Sequence, residues 1–278
     1  MKDGRTAAQI REHYEVEREL ANRLRNAPKE TRASLYTAVY GELFRRVPHH
    51  PMLTRNASPE ERRANLEWQL KLLSGLLNKD VTYLEVGAGD CAIALEVARL
   101  VKKVYAVDVH DTMAGCSSIP ENFQLILSDG SSIQVPKGSI DVVYSNQLTE
   151  HLHPDDVVGQ LQNIFEALSP GGVYLCVTPN RLSGPHDISG SFDFMSTGLH
   201  LHEYTVTELS ALFKQIGFSN LLLYVGGGGW YWQTPVFPAI LCERFLEILP
   251  TRIRRAIARS KLGRGLIGIR LVGTRAPN

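Results

Sequence analysis

The spacing of apolar residues changes near residue 80. Before it, they recur at helical intervals; after it, short apolar runs alternate with amphipathic stretches. Ile10, Tyr14, Val16, Leu20 and Leu24 mark a first helix, which Pro28 interrupts. Leu35, Tyr36, Val39, Tyr40, Leu43 and Phe44 mark a second, ending near Pro48, and HHPMLT is a turn-rich break. Ser58 is followed by Pro59 and the acids Glu60 and Glu61, the residue types that start a helix. That third helix should run through Leu66, Leu70 and Leu73 to about Leu77.

From Val81 the texture is that of strands: VTYLEV (81–86), KVYAVDV (103–109), FQLILSD (123–129), SIDVVYSN (139–146), VYLCVTPN (173–180), NLLLYVG (220–226) and LIGIRLVGTRA (266–276). Helical stretches separate most of them. The alternation predicts an α/β fold: an open, mostly parallel seven-stranded sheet with helices on both faces. Extra N-terminal helices (1–80) form a lid or extension, and the main domain (81–278) carries a helical insertion at 226–265.

A chain of 278 residues suffices for one such domain with added helices. A net charge of +1 argues against a protein dominated by nucleic-acid contacts, so no nucleic acid is expected as partner. The first twenty residues mix both charges without an apolar core, and no apolar run is long enough to span a bilayer. Cys91, Cys116, Cys176 and Cys242 are isolated in sequence, which fits reduced thiols and a cytoplasmic location.

In an open parallel sheet, ligands bind at the carboxyl ends of the strands. The first such end reads Glu85-Val86-Gly87-Ala88-Gly89. The glycines allow a tight turn and close backbone approach to a ligand, and the next helix aims free N–H groups at it. A dinucleotide-binding turn has the same glycines. However, a carboxylate at Glu85 would repel a pyrophosphate and suits a cationic amine. Asp108, followed by Val109, closes the second strand where a carboxylate can accept from both ribose hydroxyls. Asp129-Gly130 closes the third, where an acid can accept from the amino group of adenine.

This order resembles the class I, Rossmann-like S-adenosylmethionine-dependent methyltransferases. The matching residues are Glu85-x-Gly87-x-Gly89, Asp108, Asp129-Gly130, the strand from Asp141 to Asn146, and Leu168-Ser-Pro-Gly-Gly172. The resemblance covers about 81–225, with an echo at 266–276. Cys91 stands where many members carry a third glycine. Asn146-Gln-Leu-Thr-Glu-His-Leu resembles the branch of quinone-biosynthesis and sugar or natural-product methyltransferases. The resemblance implies S-adenosyl-L-methionine as cofactor, held by Glu85, Gly87, Ala88, Gly89, Asp108, Val109, Asp129 and Gly130. Asn146 and Gln147 would line its methionine end. Many relatives build a lid over this cleft from their N-terminal region; here Tyr36, Tyr40, Phe44 and His50 are the lid positions.

Methyl transfer from a sulfonium is an in-line displacement in which the enzyme mainly positions the nucleophile. A hydroxyl acceptor must also lose a proton, work suited to histidine. The candidate bases are His202, His200 and His151. His186, Tyr204 and Trp230 are candidate substrate contacts; His186 and Tyr204 lie in a loop of roughly 25 residues at 179–204, long enough to suggest a function. The HxH pairs 151–153 and 200–202 lack further ligands in sequence, so no metal is expected. The expected acceptor is a small molecule, methylated at a hydroxyl oxygen, with nitrogen and carbon open. The alternatives are a cofactor-binding partner subunit without catalysis and an NAD-dependent oxidoreductase.

The segment 226–265 opens with four glycines and Trp230-Tyr231-Trp232. It closes with 251–264, which holds six basic residues and no acid. Leu249, Ile253, Ala256 and Ile257 share one helical face, giving a basic amphipathic helix. Its arginines could lie in water, meet a membrane surface, or contact a phosphorylated or nucleotide-linked substrate. A membrane-peripheral location therefore stands beside the cytoplasmic one.

Overall fold

The computed structural model describes residues 4–54, 57–113, 118–129, 132–227 and 229–277. Before the first strand come α1 (Ala7–Asn26), α2 (Lys29–Arg46), the short α3 (Pro51–Thr54) and α4 (Pro59–Leu73). Thr6 and Ser58 start α1 and α4 with reciprocal capping boxes to Gln9 and Glu61, which satisfy backbone donors that the first turn leaves free. Pro59 sits in the first turn of α4 as expected.

The strands are β1 (Thr82–Val86), β2 (Lys103–Asp108), β3 (Phe123–Leu127), β4 (Ile140–Asn146), β5 (Leu168–Thr178), β6 (Ser219–Gly227), β7 (Trp230–Pro235) and β8 (Ile269–Thr274). Helices α5 (Ala92–Ala98), α6 (Pro154–Ala167) and α7 (Val206–Ile216) alternate with them, and α8 (Phe237–Glu247), α9 (Thr251–Arg259) and α10 (Lys261–Ile267) precede β8. All strands form one sheet in the order β3-β2-β1-β4-β5-β8-β6-β7. Strands β1 to β5 pair in parallel, whereas β8 runs antiparallel to both β5 and β6. The order reverses between β1 and β4, where such sheets open a crevice.

The α/β fold stands, with one strand more than the seven expected. The extra strand is β7, so the 226–265 segment begins as a hairpin rather than as a helical insertion. Gly226 and Gly229 take φ of +134° and +88°, a region that glycine enters without strain, and this turns the chain back on β6. The Trp-Tyr-Trp run then suits a strand.

Apolar side chains fill both faces of the sheet. One layer joins the sheet to α1, α2, α6 and α7; the other joins it to α4 and α5. A buried ion pair fastens α2 to α6: Arg32 Nε and Nη2 donate to the two oxygens of Asp156 at 2.7 and 2.9 Å. Tyr36 Oη donates to the same carboxylate at 2.7 Å and accepts from the N–H of His153 at 2.9 Å. Cys91, Cys176 and Cys242 are free thiols, and Cys116 lies outside the described residues. No helix among the described residues is long and apolar enough to cross a membrane.

Candidate functional site

The turn after β1 is tied to the end of β2. Gly87 and Gly89 have φ of +75° and +55°. The N–H groups of Gly87 and Ala88 donate to Val107 O at 2.8 and 3.2 Å. Asp108 Oδ2 accepts from Gly89 N at 2.8 Å and Oδ1 from His110 N at 3.1 Å. Each oxygen keeps a second lone pair, so the ribose hydroxyls expected there still have acceptors. Cys91 adopts φ of +57° before α5. The third turn position thus keeps a left-handed conformation without glycine, and its buried thiol sits 3.6 Å from Thr112 Oγ1.

Beside this turn lies a cavity of about 250 Å³. Glu85, Gly87, Ala88 and Asn146 line it from the strand ends, and Arg62, Asn65, Leu66 and Gln69 from α4. A smaller space of about 60 Å³ adjoins at Gly87, lined by Asp108, Val109, Ser128, Ser132 and Leu148. Tyr144 Oη and Asn146 Nδ2 both donate to Gln69 Oε1, at 2.9 and 3.2 Å, and so hold α4 over the first cavity. Of the N-terminal helices, α4 is therefore the one that covers the cleft. Tyr36 is committed to the α2–α6 junction, while Tyr40 and His50 line a different cavity, with Phe44 packed edge-on against the His50 ring.

Glu85 is buried, and its Oε2 has no hydrogen-bond partner. Burial, with the charges of Asp90 and Asp108 adding to it, pushes its carboxyl up to about 8, against a lowering contact from the Ala94 N–H. An orphaned carboxylate oxygen at the mouth of a glycine turn fits a cationic amine. Arg62, whose Nη1 donates to Ala57 O, stands across the cavity where a ligand carboxylate could lie. Together these residues fit the amino-acid end and ribose of S-adenosylmethionine. Gln147 is exposed, with φ of +55° and its N–H on Val177 O at 2.8 Å, so only its backbone reaches the strand ends. Asp129 is exposed and its Oδ1 accepts from Ser132 N at 2.8 Å, while Gly130 lies outside the described residues.

A second cavity, of about 420 Å³, lies between α1, α2 and the loop after β5. Five histidines line it: His13, His50, His151, His186 and His200. Burial, with nearby positive charge, lowers His50 to about 4, and its Nδ1 accepts from Met52 N at 3.1 Å. Burial likewise lowers His151 to about 3. His151 Nδ1 lies 3.0 Å from Tyr40 Oη, which can donate to it, and 3.1 Å from Leu199 O, which can only accept. His186 is exposed, and its backbone N–H donates to Glu203 Oε1 at 2.7 Å.

His200 differs. Its Nδ1 donates to Glu203 Oε1 at 2.8 Å. Burial would lower its pKa, but the Glu203 hydrogen bond and the charges of Glu150 and Glu203 outweigh it and the value rises above 6.5. Glu150 is itself buried and raised to about 7, chiefly by burial; Oε2 accepts from Thr178 Oγ1 at 2.8 Å and Oε1 has no partner. A carboxylate that orients one ring nitrogen and leaves the other free is the arrangement of a general base.

By distance alone, His13, Glu17 and His50, or Glu150, His151 and His200, could hold a cation. Hydrogen bonding accounts for the first group: His13 Nδ1 accepts from Arg5 Nη1 at 2.8 Å, and Nε2–H donates to Glu17 Oε2 at 2.7 Å. In the second, His200 Nδ1 is engaged with Glu203 Oε1 at 2.8 Å. The other nearby HxH member, His153, caps α6 by accepting from Asp155 N.

The loop from 179 to 204 is not structureless. Two 3₁₀ turns, Arg181–Ser183 and Ile188–Ser191, interrupt it, and the half-buried Asp187 and buried Glu17 satisfy part of its backbone. Asp187 Oδ2 accepts from Ser196 Oγ and Gly198 N, and Glu17 Oε1 from Leu199 N at 2.9 Å. Arg25 of α1 donates to Thr197 O and Gly198 O at 2.9 Å each and to His200 O at 3.2 Å.

The other expected contacts lie elsewhere. His202 stacks edge-on against Tyr204, 3.6 Å from Glu208, and does not line the histidine cavity. Tyr204 is in the core, its hydroxyl buried without a partner. Trp230 is 73% exposed on the edge strand β7. Glu150, Glu203, His13 and Glu17 were missed as site residues. His13 and Glu17 fall at helical spacing on the same face as Leu20 and Leu24, and a polar pair on an apolar face was the available signal.

Residues 59–223 match the family described as "Methyltransferase domain". A probable S-adenosylmethionine-dependent methyltransferase of Mycolicibacterium smegmatis is 29% identical over 136 residues, 49% of this chain and 51% of the relative. The match thus spans about half the length of that curated relative. Among solved structures, a Haemonchus contortus phosphoethanolamine N-methyltransferase bound to phosphoethanolamine and S-adenosylhomocysteine superposes with a TM-score of 0.57 at 15% identity, covering 91% of this chain and 50% of that one. The Burkholderia thailandensis 1,6-didemethyltoxoflavin-N1-methyltransferase gives 0.53 at 16% identity, covering 90% and 91%. At these identities the likeness concerns the fold. With the glycine turn, Glu85 and Asp108 in place, the chain belongs to the methyltransferase domain family, with the class I fold and S-adenosylmethionine as its cofactor.

Proposed function

We propose that this protein methylates a hydroxyl oxygen of a small molecule held in the histidine-lined cavity, with His200 as the base. The observation that carries the reading is the Glu203–His200 pair: Nδ1–H is fixed on a buried carboxylate, and Nε2 is left to take the acceptor's proton. Bound in the cleft, the cofactor supplies an electrophilic methyl on a positively charged sulfur. The cleft and the histidine cavity share no lining residue, but the short segment after β4 borders both, through Leu148 on the cofactor side and His151 on the other. Asn146 lines the methionine end and Gln147 contributes backbone there. His151, neutral and desolvated, is an acceptor contact rather than the base, and His186 is a second contact. Asp129 with Gly130 is assigned to the adenine end.

Helices α1 and α2 serve as a wall of the acceptor cavity, and α4 as the cover of the cofactor cleft. The basic stretch 251–264 offers a surface for an anionic partner, which suits a cytoplasmic enzyme that works at a membrane periphery.

The test is transfer of labelled methyl to matched phenols, alcohols and amines, with wild type and His200→Asn. Transfer to the hydroxyl compounds, lost by more than a hundredfold in His200→Asn while cofactor binding persists, is expected. Transfer to amines alone, or an undiminished rate in His200→Asn, would overturn the reading.

A further inference from the structure

Helices α8, α9 and α10 lie between β7 and β8, outside both cavities described above. The inner face of α8 buries Ala239, Glu243 and Leu246. On its outer face Phe237, Leu241, Phe245 and Ile248 recur at helical spacing and are all exposed, Ile248 at 76%. On α9, Ile253 and Ile257 repeat the pattern, and on α10 so do Leu262, 73% exposed, and Leu266. A groove of about 320 Å³, lined mainly by apolar side chains of the three helices, runs between them. An exposed apolar surface of this extent marks an interaction site.

Charge narrows the occupant. Between 236 and 268 there are seven cations and two acids. One of the acids, Glu243, is buried and accepts from Asn180 Nδ2 and Val206 N. Among the described residues Arg244, Arg252, Lys261 and Arg264 have no carboxylate partner. The Nε groups of Arg254 and Arg255 are buried without a protein partner. Trp230 and Trp232 add aromatic groups on the same side: Trp232 pairs with Val225, which packs into the layer shared with α7 and α8. Exposed aliphatic and aromatic stripes with unpaired arginines between them match the interface of an anionic bilayer, where apolar groups enter the headgroup region and cations meet phosphates.

We propose that α8, α9 and α10 form a monotopic docking face for anionic phospholipid bilayers. This rests on the basic-surface part of the reading above and is independent of the acceptor and the base. Flotation tests it, using vesicles of phosphatidylcholine alone and vesicles with equal parts phosphatidylcholine and phosphatidylglycerol. The wild type should float with the mixed vesicles, release at high salt, and show a blue-shifted tryptophan emission. Replacing Arg252, Lys261 and Arg264 by alanine should lower partitioning about fivefold per residue. Phe245→Glu with Ile248→Glu should abolish it, while calorimetry with S-adenosylmethionine stays unchanged in both variants. Wild type left in the lipid-free fraction, equal binding to neutral vesicles, or flotation unaffected by the substitutions would overturn the proposal. So would a concentration-dependent dimer broken by Ile248→Glu in place of lipid binding, which would make a second copy the occupant. The wild-type measurements decide the matter even if a variant fails to fold, and cofactor binding separates this failure from failure of the methyl-transfer reading.

Discussion

At Glu85, burial leaves one carboxylate oxygen without a protein partner, which suits a ligand amine. Glu85→Gln should therefore weaken S-adenosylmethionine binding at least tenfold by calorimetry, because a charge-assisted contact is lost. Binding to the wild type should strengthen as pH rises through about 8, as the carboxyl ionises. His200 gives a second pH signature. A base must be unprotonated, and Glu203 and Glu150 hold this histidine above its ordinary 6.5, so kcat/KM should rise with pH on a limb above that value. Glu203→Gln removes the charge hydrogen-bonded to the ring and should move the limb to lower pH while reducing the plateau. An unmoved limb would show that another group titrates.

At the level of elements, what positions the site is a set of buried polar ties between segments remote in sequence. Arg25 and Glu17 of α1 hold the loop that carries His200, and Arg32 and Tyr36 of α2 hold α6 through Asp156. Burial alone would raise Asp156, but hydrogen bonds from Arg32 and Tyr36, with the charge of Arg32, keep it below its ordinary value. Arg32→Met strands that carboxylate and should cost about 3 kcal/mol in urea denaturation; adding Asp156→Leu should recover part of it. The strands, α6 and α7 were legible because their periodicity is local. The β6–β7 hairpin was not: four glycines carry no side-chain pattern, and the edge strand is defined by pairing with β6.

Across the whole molecule, the buried acids and histidines set opposing pH slopes. His50 and His151, lowered to about 4 and 3, bind fewer protons folded than unfolded below 6.5 and so destabilise the fold on acidification. Glu85 and Glu150, raised to about 8 and 7, bind more protons folded than unfolded above 4.5 and lose stability as pH rises. The two effects oppose each other between 4.5 and 6.5. The ligand-free protein should thus be most stable in that window and weaken toward pH 8, by about 1.4 kcal/mol per pH unit for each titrating carboxyl. Melting curves at pH 6 and 8 check this. Saturating cofactor, which pairs with ionised Glu85, should shrink the alkaline loss, as should Glu85→Gln.

Strand alternation and a tight turn depend on near neighbours, so the α/β class, the glycine turn, the acids at two strand ends and with them the cofactor could be read along the chain. Glu85 was legible as a carboxylate beside the turn from its place two residues before Gly87. Which histidine meets a carboxylate, and which of them share a cavity, depends on packing between distant segments. His200 and His202 are alike on paper, yet one lies buried against Glu203 within a wall supplied by α1 and α2, and the other flanks Tyr204 outside it. Burial and partnership arise from segments more than a hundred residues apart, and no local pattern records them.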